Sequence, residues 1–198
     1  ARKGAATFDT VAALRRIWAE GRVTPPPVQK RLPIWIGAGS TKSARRSGLA
    51  GEGLLRVAPG LVDAYLGGLE EGGHGRDAAR MAGPINCFLT DDPERDWPVV
   101  APHVGYQWTS YAMAREGISY ERAEIDPDAW RARGIEQGAT SGFLFATPED
   151  AAARIRAFVG SAPVETVFVW GSVAALGEEL LARNLHLVCT RLAPLLAD

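Results

Sequence analysis

One ten-residue stretch, Leu32–Thr41, constrains the fold more than any other part of the chain. It contains a short apolar run, Ile34–Ile36, and then two glycines and two hydroxyl residues close together. This order is typical of a buried strand that leads through a small-residue turn into a helix. Free backbone N–H groups and the helix dipole favour a phosphate at such a helix start. The stretch therefore predicts a strand-turn-helix unit and points to a nucleotide-type cofactor.

Composition excludes several classes of protein. With 198 residues, 46% of them hydrophobic, and a net charge of −1, the chain can bury a core and has no electrostatic bias toward nucleic acid or anionic membranes. Cys87 and Cys189 form no CxxC motif, and His74, His103 and His186 share no ligand spacing. No run approaches the ~18 apolar residues of a membrane span. We expect a cytoplasmic enzyme or small-molecule binder without a metal, nucleic-acid or membrane partner.

Strands and helices are predicted to alternate along the chain. An amphipathic helix over residues 7–20 comes first, and the fourth strand has the composition of a buried parallel strand. The predicted strands are 33–37, 54–57, 84–89 and 165–171, each followed by a helix. This alternation predicts an α/β fold with parallel strands. Periodicity alone does not separate a small doubly wound sheet from part of a (β/α)8 barrel.

Residues 97–140 differ from the rest, because they hold many aromatic and charged residues and no strand-like run. We interpret them as a helical lobe inserted into a single domain that covers residues 1–198. Aromatic side chains at this density either pack a subsidiary core or line a pocket, and packing is the default.

Several motifs, in order, resemble those of the bacterial-luciferase-like flavin or deazaflavin oxidoreductases. They are Phe8-Asp9, Pro25–Gln29, Pro33–Ser40, Gly51–Leu54, Asp91–Trp97, Ala146–Asp150 and Leu192–Leu196. No single motif is specific, but their order and spacing extend over nearly the whole chain. The resemblance implies a TIM barrel that uses FMN or the deazaflavin coenzyme F-420 for oxygenation or hydride transfer on a small-molecule substrate.

The resemblance begins at the helix before the family's fifth barrel strand, so it implies the carboxyl-terminal half of the barrel. Four strands cannot close a barrel of eight, and they leave two unpaired edges. We therefore expect either a fragment or a natural half-barrel whose other half comes from another chain. Such a chain would be an incomplete enzyme. The alternative is a non-catalytic half-barrel that self-associates as a binding or interaction protein.

The resemblance also assigns candidate site residues. The cofactor-binding residues it implies lie at or just after the ends of the first two predicted strands: Gly37, Ala38, Gly39, Ser40, Arg56, Val57 and Ala58. The competing interpretations are a plain turn with Ser40 or Thr41 capping the helix, and an Arg56 ion pair on the barrel rim. His103 and Trp108 lie in the lobe, which roofs the active site in that family, so they are candidates for the substrate side. No catalytic acid, base or hydride acceptor is assigned.

Overall fold

The computed structural model describes residues 2–136 and 138–197, with side chains from residue 6 onward. The strands are β1 (Trp35–Ile36), β2 (Gly53–Leu55), β3 (Met81–Ile85), β4 (Cys87–Leu89), β5 (Leu144–Ala146) and β6 (Val164–Val169). The α-helices are α1 (Arg2–Ala19), α2 (Thr41–Leu49), α3 (Val62–Glu71), α4 (Pro93–Glu116), α5 (Tyr120–Ala123), α6 (Pro127–Arg133), α7 (Pro148–Val159), α8 (Glu178–Leu187) and α9 (Ala193–Ala197). A π-helical turn, Val188–Leu192, joins the last two helices.

Two compact units divide the chain. The first extends to Gly83 and includes Ala162–Thr166, and the second contains Pro84–Ser161 and the residues from Val167 onward. A four-stranded sheet has the order β1-β2-β3-β6, and β4 pairs with β5 in a second sheet. The pairs β1–β2, β2–β3 and β4–β5 are all parallel. The α/β fold with parallel strands is confirmed, whereas the single domain over residues 1–198 stays a prediction.

In the first unit, α2 and α3 pack against the sheet through a core that includes Ala44, Leu54, Tyr65 and Leu69. Tyr65 is fully buried, and its hydroxyl donates to the backbone oxygen of Glu52 at 2.9 Å. Burial raises the pKa of this phenol above its usual value. The hydroxyl therefore stays protonated and links α3 to the start of β2.

In the second unit, aromatic rings form the core between the β4–β5 sheet and α4. Phe88 stacks on Phe145 with 5.9 Å between ring centroids, and Trp97 lies 5.0 Å from Phe145. Helix α4 begins where the sequence predicts, because Asp92 caps it by accepting a hydrogen bond from the Arg95 N–H. Residues 97–140 contain most of α4, then α5 and α6, and no strand among the residues that are described. That they form an inserted lobe stays a prediction.

The predicted strand over residues 84–89 is wrong as a single strand. The chain changes sheets at Asn86, between β3 and β4. There the backbone N–H of Asn86 donates to the backbone oxygen of Ala139, and the backbone oxygen of Asn86 accepts from the Leu144 N–H. Pro84 lacks an N–H and cannot donate to the first sheet's ladder. Strand β5, which pairs with β4, was not predicted.

The prediction that the fourth strand is buried is also wrong. Every residue of β6 is half-buried or exposed, and Phe168 is 37% exposed. The β-branched and aromatic composition of this strand fits a pleated surface, but composition does not report whether a neighbour covers that surface. The total of four predicted strands is corrected to six in the described part of the chain.

Candidate functional site

The cofactor candidates lie where two neighbouring parallel strands end. Strands β1 and β2 pair with Trp35 opposite Gly53 and Ile36 opposite Leu54. Because parallel strands end at the same edge of a sheet, the segment Gly37–Ser40 after β1 and the segment Arg56–Ala58 after β2 lie at one edge. Ligands of open α/β sheets and of barrels bind outside this carboxyl edge.

Gly39 and Arg56 approach each other across this edge. A Cβ atom placed on Gly39 would lie 3.9 Å from Nη1 of Arg56, and both residues are exposed. Among the described residues, the Arg56 guanidinium has no hydrogen-bond or ion-pair partner. A free positive charge thus lies beside a turn without a side chain, an arrangement that suits close approach of an anion. The alternative of an Arg56 ion pair on the rim finds no support in this part of the chain.

Ser40 caps helix α2. Its Oγ accepts from the Ser43 N–H at 3.3 Å, and its own N–H donates to Ser43 Oγ at 3.1 Å, which together form a capping box. The structure therefore gives Ser40 the capping role that the sequence left as an alternative. The next two N–H groups, of Thr41 and Lys42, have no acceptor in the described part of the chain. They are the groups of this helix start that remain available to an anion.

Two predicted cofactor residues point into the core. Ala38 and Val57 are each 2% exposed, and Ala38 packs in the same cluster as Leu54 and Tyr65. Their side chains are therefore buried while their backbone atoms lie on the edge, and their part in cofactor binding stays a prediction. Ala58 is half-buried, whereas Gly37 is exposed, and a Cβ placed there would meet nothing within 4 Å.

The three basic residues of α2 differ in their environments. Arg45 forms an exposed ion pair with Glu71, and the Arg46 guanidinium lies 4.2 Å from the ring centroid of Phe8. Lys42 is exposed in the first turn. Arg45 is thus a solvated partner of α3, and its positive charge is already compensated.

Trp108 lines a cleft of about 450 Å³ in the second unit. We call it the aromatic cleft, and its lining residues are Pro84, Asn86, Gln107, Trp108, Tyr111, Thr140, Trp170 and Ser172. Trp108 packs edge-on against Tyr111 with 5.3 Å between ring centroids, and 5.7 Å separate it from Trp130. The structure thus places the candidate Trp108 in a concave site.

His103 does not line this cleft. Its Nδ1 lies 2.9 Å from the backbone oxygen of Ala174. Because a carbonyl oxygen only accepts, this nitrogen carries the proton and donates. The hydrogen bond gives His103 a structural role that fixes the segment after β6 to α4, and its substrate-side role stays a prediction.

A larger cavity of about 660 Å³ lies where β5 meets α7. Its charged groups are already paired, since Arg131 binds Glu94 and Arg154 lies 3.7 Å from Asp150. Trp97 donates from Nε1 to Asp128 at 2.6 Å. These pairs satisfy one another, so the cavity is a weaker candidate than the aromatic cleft.

Most residues of the aromatic cleft were not predicted from the sequence. Tyr111 lies three positions after Trp108 on one helix, a spacing that places both rings on the same face. Trp170 directly follows β6, just as the cofactor candidates directly follow β1 and β2. The predicted strand 165–171 includes Trp170, so the position of this residue just after the strand became visible only when the structure ended β6 at Val169. Asn86 had no comparable signal, because its place depends on where the chain changes sheets.

Comparison with known proteins decides the family. The model of the luciferase-like monooxygenase family matches residues 1–184. The chain belongs to this family. No curated protein matches it. The solved structures that resemble it include monooxygenase RslO1 from Streptomyces bottropensis and the coenzyme F-420-dependent tetrahydromethanopterin reductase from Methanopyrus kandleri. They also include the oxygenating constituent of 3,6-diketocamphane monooxygenase from Pseudomonas putida, in complex with FMN.

These likenesses establish the fold of this luciferase-like monooxygenase chain. The sequence identity to this chain is 21% for RslO1, 14% for the reductase and 16% for the diketocamphane enzyme. The TM-scores are 0.52, 0.50 and 0.56 in the same order. The alignments cover 86%, 87% and 84% of this chain but only 50%, 55% and 49% of those chains. The fold is therefore of the family's TIM-barrel type, and the chain spans about half the length of the structures it matches.

Two features are absent from the described residues of this family member. No group of three or more His, Cys, Asp or Glu side chains is arranged to hold a metal ion. No helix there has the length and apolar character needed to cross a membrane.

Proposed function

We propose that this chain supplies the cofactor-phosphate side of an oxidoreductase or monooxygenase site that uses FMN or coenzyme F-420. The observation that carries the proposal is the Arg56 guanidinium, which has no ion-pair partner among the described residues and lies beside the side-chain-free turn at Gly39. Family membership supports it, as do the cofactors named for two of the similar structures. The site would be incomplete in this chain alone.

The residues of the edge have distinct roles in this proposal. Arg56 donates charge-assisted hydrogen bonds to the phosphate, and Gly39 lets the phosphate approach the backbone closely. The N–H groups of Thr41 and Lys42 add donors at the positive end of the α2 dipole. The bound cofactor supplies the redox chemistry, while the protein contributes binding and orientation.

A comparison of FMN with riboflavin isolates the phosphate, because riboflavin carries the same ring without it. In equilibrium dialysis we expect the chain to bind FMN more tightly than riboflavin. Arg56→Gln should weaken FMN binding about tenfold, as expected for loss of one charge-assisted hydrogen bond, and leave riboflavin binding unchanged. The control is Arg16→Gln, which removes an exposed arginine of α1. Equal binding of FMN and riboflavin, or equal effects of the two variants, would overturn the proposal. Titration with coenzyme F-420 then identifies the preferred cofactor.

A second candidate function is self-association as a half-barrel that acts as a binding protein. Strand β6 lies at the end of its sheet, and none of its six residues is buried. An edge strand of this kind presents unpaired backbone groups to another chain. Sedimentation equilibrium over a range of protein concentrations tests this candidate.

A further inference from the structure

Three large aromatic side chains of the aromatic cleft remain free to contact a ligand. Tyr111 is 58% exposed and Trp170 is 56% exposed, and half-buried Trp108 packs against Tyr111. Phe168 holds Trp170 by an edge-on contact with 5.8 Å between ring centroids. Exposed aromatic rings that line a concave site provide flat surfaces for stacking a planar ligand.

The polar groups of the cleft carry no formal charge. Thr140 and Ser172 are exposed, and neither hydroxyl forms a hydrogen bond within the part of the chain that is described. Gln107 is already engaged, because its Oε1 accepts from the Ala174 N–H at 2.7 Å. A charged ligand would find no counter-ion among these residues, so the cleft favours a neutral ligand.

Asn86 adds an acceptor that lacks a donor. Its Nδ2 donates to the Gly142 oxygen at 3.1 Å, which identifies the other end of the amide as oxygen. That Oδ1 is buried and has no hydrogen-bond partner within the described ranges. A buried acceptor without a donor costs about 1–3 kcal/mol, so a donor that reached it would be stabilised. The oxygen is closed to solvent in this structure, so a ligand donor would reach it only after a neighbouring side chain moved.

We infer that the aromatic cleft binds the substrate as a neutral, planar aromatic ring system with an O–H or N–H donor at its edge. The volume of about 450 Å³ lies within the range of small-molecule pockets. The aromatic side chains stack on the ring, and the polar groups orient its edge. The inference rests on the proposed function, since it names the substrate class of that oxidoreductase.

Equilibrium dialysis with three probes tests the ligand class without a cofactor. Naphthol is planar and carries a donor, naphthalene is planar without one, and decanol carries a donor on a flexible chain. We expect naphthol to bind more tightly than either of the others. Lumiflavin, the cofactor's ring without its phosphate, is the fourth probe. Tighter binding of lumiflavin in competition with naphthol would assign the cleft to the cofactor ring and overturn the inference.

Two tyrosines of α4 provide a matched pair of variants. Tyr111 lines the cleft, whereas Tyr106 lies outside it and is 55% exposed on the same helix. Tyr111→Ala should weaken naphthol binding about tenfold, and Tyr106→Ala should leave it unchanged. Equal effects of the two variants would overturn the inference, as would equal binding of naphthol and decanol.

The inference and the proposed function fail separately. If Arg56→Gln weakens FMN binding but Tyr111→Ala leaves naphthol binding unchanged, the proposed substrate class is wrong and the proposed cofactor site is supported. If naphthol binds as expected but the chain binds FMN no more tightly than riboflavin, the aromatic cleft is a ligand site and the proposed phosphate site is wrong.

Discussion

At the residue scale, Glu52 is a buried carboxylate with two arginine partners. It is 3% exposed, and Arg15 of α1 contacts both its oxygens, with Nε to Oε1 at 2.9 Å and Nη2 to Oε2 at 2.5 Å. Arg31 adds a contact to Oε1 at 3.0 Å. This two-point contact favours a glutamate over an aspartate at position 52, because the glutamate side chain is one methylene longer and reaches Arg15 of α1.

Removing Arg15 should destabilise the protein more than removing its neighbour Arg16. Arg15→Gln leaves the buried Glu52 with only Arg31, so we expect a loss of about 2 kcal/mol, less than for a buried pair with no second cation. Arg16 is exposed and lies 3.9 Å from Glu20, so Arg16→Gln should cost less than about 0.5 kcal/mol. Urea unfolding at neutral pH measures both. Equal losses would show that burial of Glu52 does not depend on Arg15.

Asp96 predicts a pH dependence. The hydrogen bond from Arg95, helped by one from Thr90, holds the pKa of this carboxyl below its usual value. The unfolded chain therefore takes up this proton at a higher pH than the folded chain. The stabilisation is present above the unfolded pKa of about 4 and is lost as the pH falls through the lower folded pKa. Asp96→Asn should lower stability at neutral pH and flatten its decline below about pH 4. Parallel stability profiles for wild type and variant would contradict this.

Some residue-level features could be predicted and others could not. The meeting of Gly39 and Arg56 follows from the rule that parallel neighbours end at one edge, and Ser40 had been named as a possible cap. The burial of Ala38 and Val57 could not be predicted, because small and apolar residues after a strand occur both in turns and in cores. The role of Asn86 depends on pairing with residues more than fifty positions later, which local sequence does not encode.

At the element scale, helices α2 and α3 cross at two glycines. A Cβ on Gly48 would lie 2.2 Å from the Tyr65 oxygen, and one on Gly68 would lie 2.0 Å from the Arg45 oxygen. Both contacts are with backbone atoms, which cannot move without separating the helices. The two glycines therefore set the distance between α2 and α3.

Adjacent glycines of α3 should respond in opposite directions to alanine. Gly68→Ala forces α2 and α3 apart and should cost about 1–3 kcal/mol. A Cβ on Gly67 would meet nothing within 4 Å, so Gly67→Ala should raise stability by about 0.5–1 kcal/mol through helix propensity. Thermal and urea unfolding of both variants check this pair. Stabilisation by Gly68→Ala would mean that the helices are not in close contact.

Helices were easier to predict than strands for a physical reason. The starts of α4 and α7 carry their own signals, in Asp92 and Thr147, which cap them through local hydrogen bonds. Strand β5 has three residues, and its pairing with β4 comes from residues far away in sequence. A strand this short offers too few positions to show a period of two.

At the scale of the whole molecule, the chain spans about half the length of each of the three structures compared above, and β6 has no buried residue. The α/β class could be predicted because it arises from local strand-turn-helix units. The same units bring Gly39 and Arg56 to one edge of the sheet, and phosphate binding at that edge stays a prediction. The aromatic cleft draws on α4, β3 and the segments around residues 140 and 172, so its assembly depends on tertiary structure.

The exposed strand β6 predicts that the chain associates. We expect the purified 198-residue protein to sediment as a dimer or a larger species and to carry less than stoichiometric flavin. Phe168→Lys places a charge on the edge strand and should shift the distribution toward monomer, because a charged edge opposes strand pairing. Tyr106→Lys is the matched control, since it puts the same charge at an exposed aromatic position of α4. A monomer that binds flavin tightly and oxidises a substrate would show that this chain forms a complete site and needs no partner.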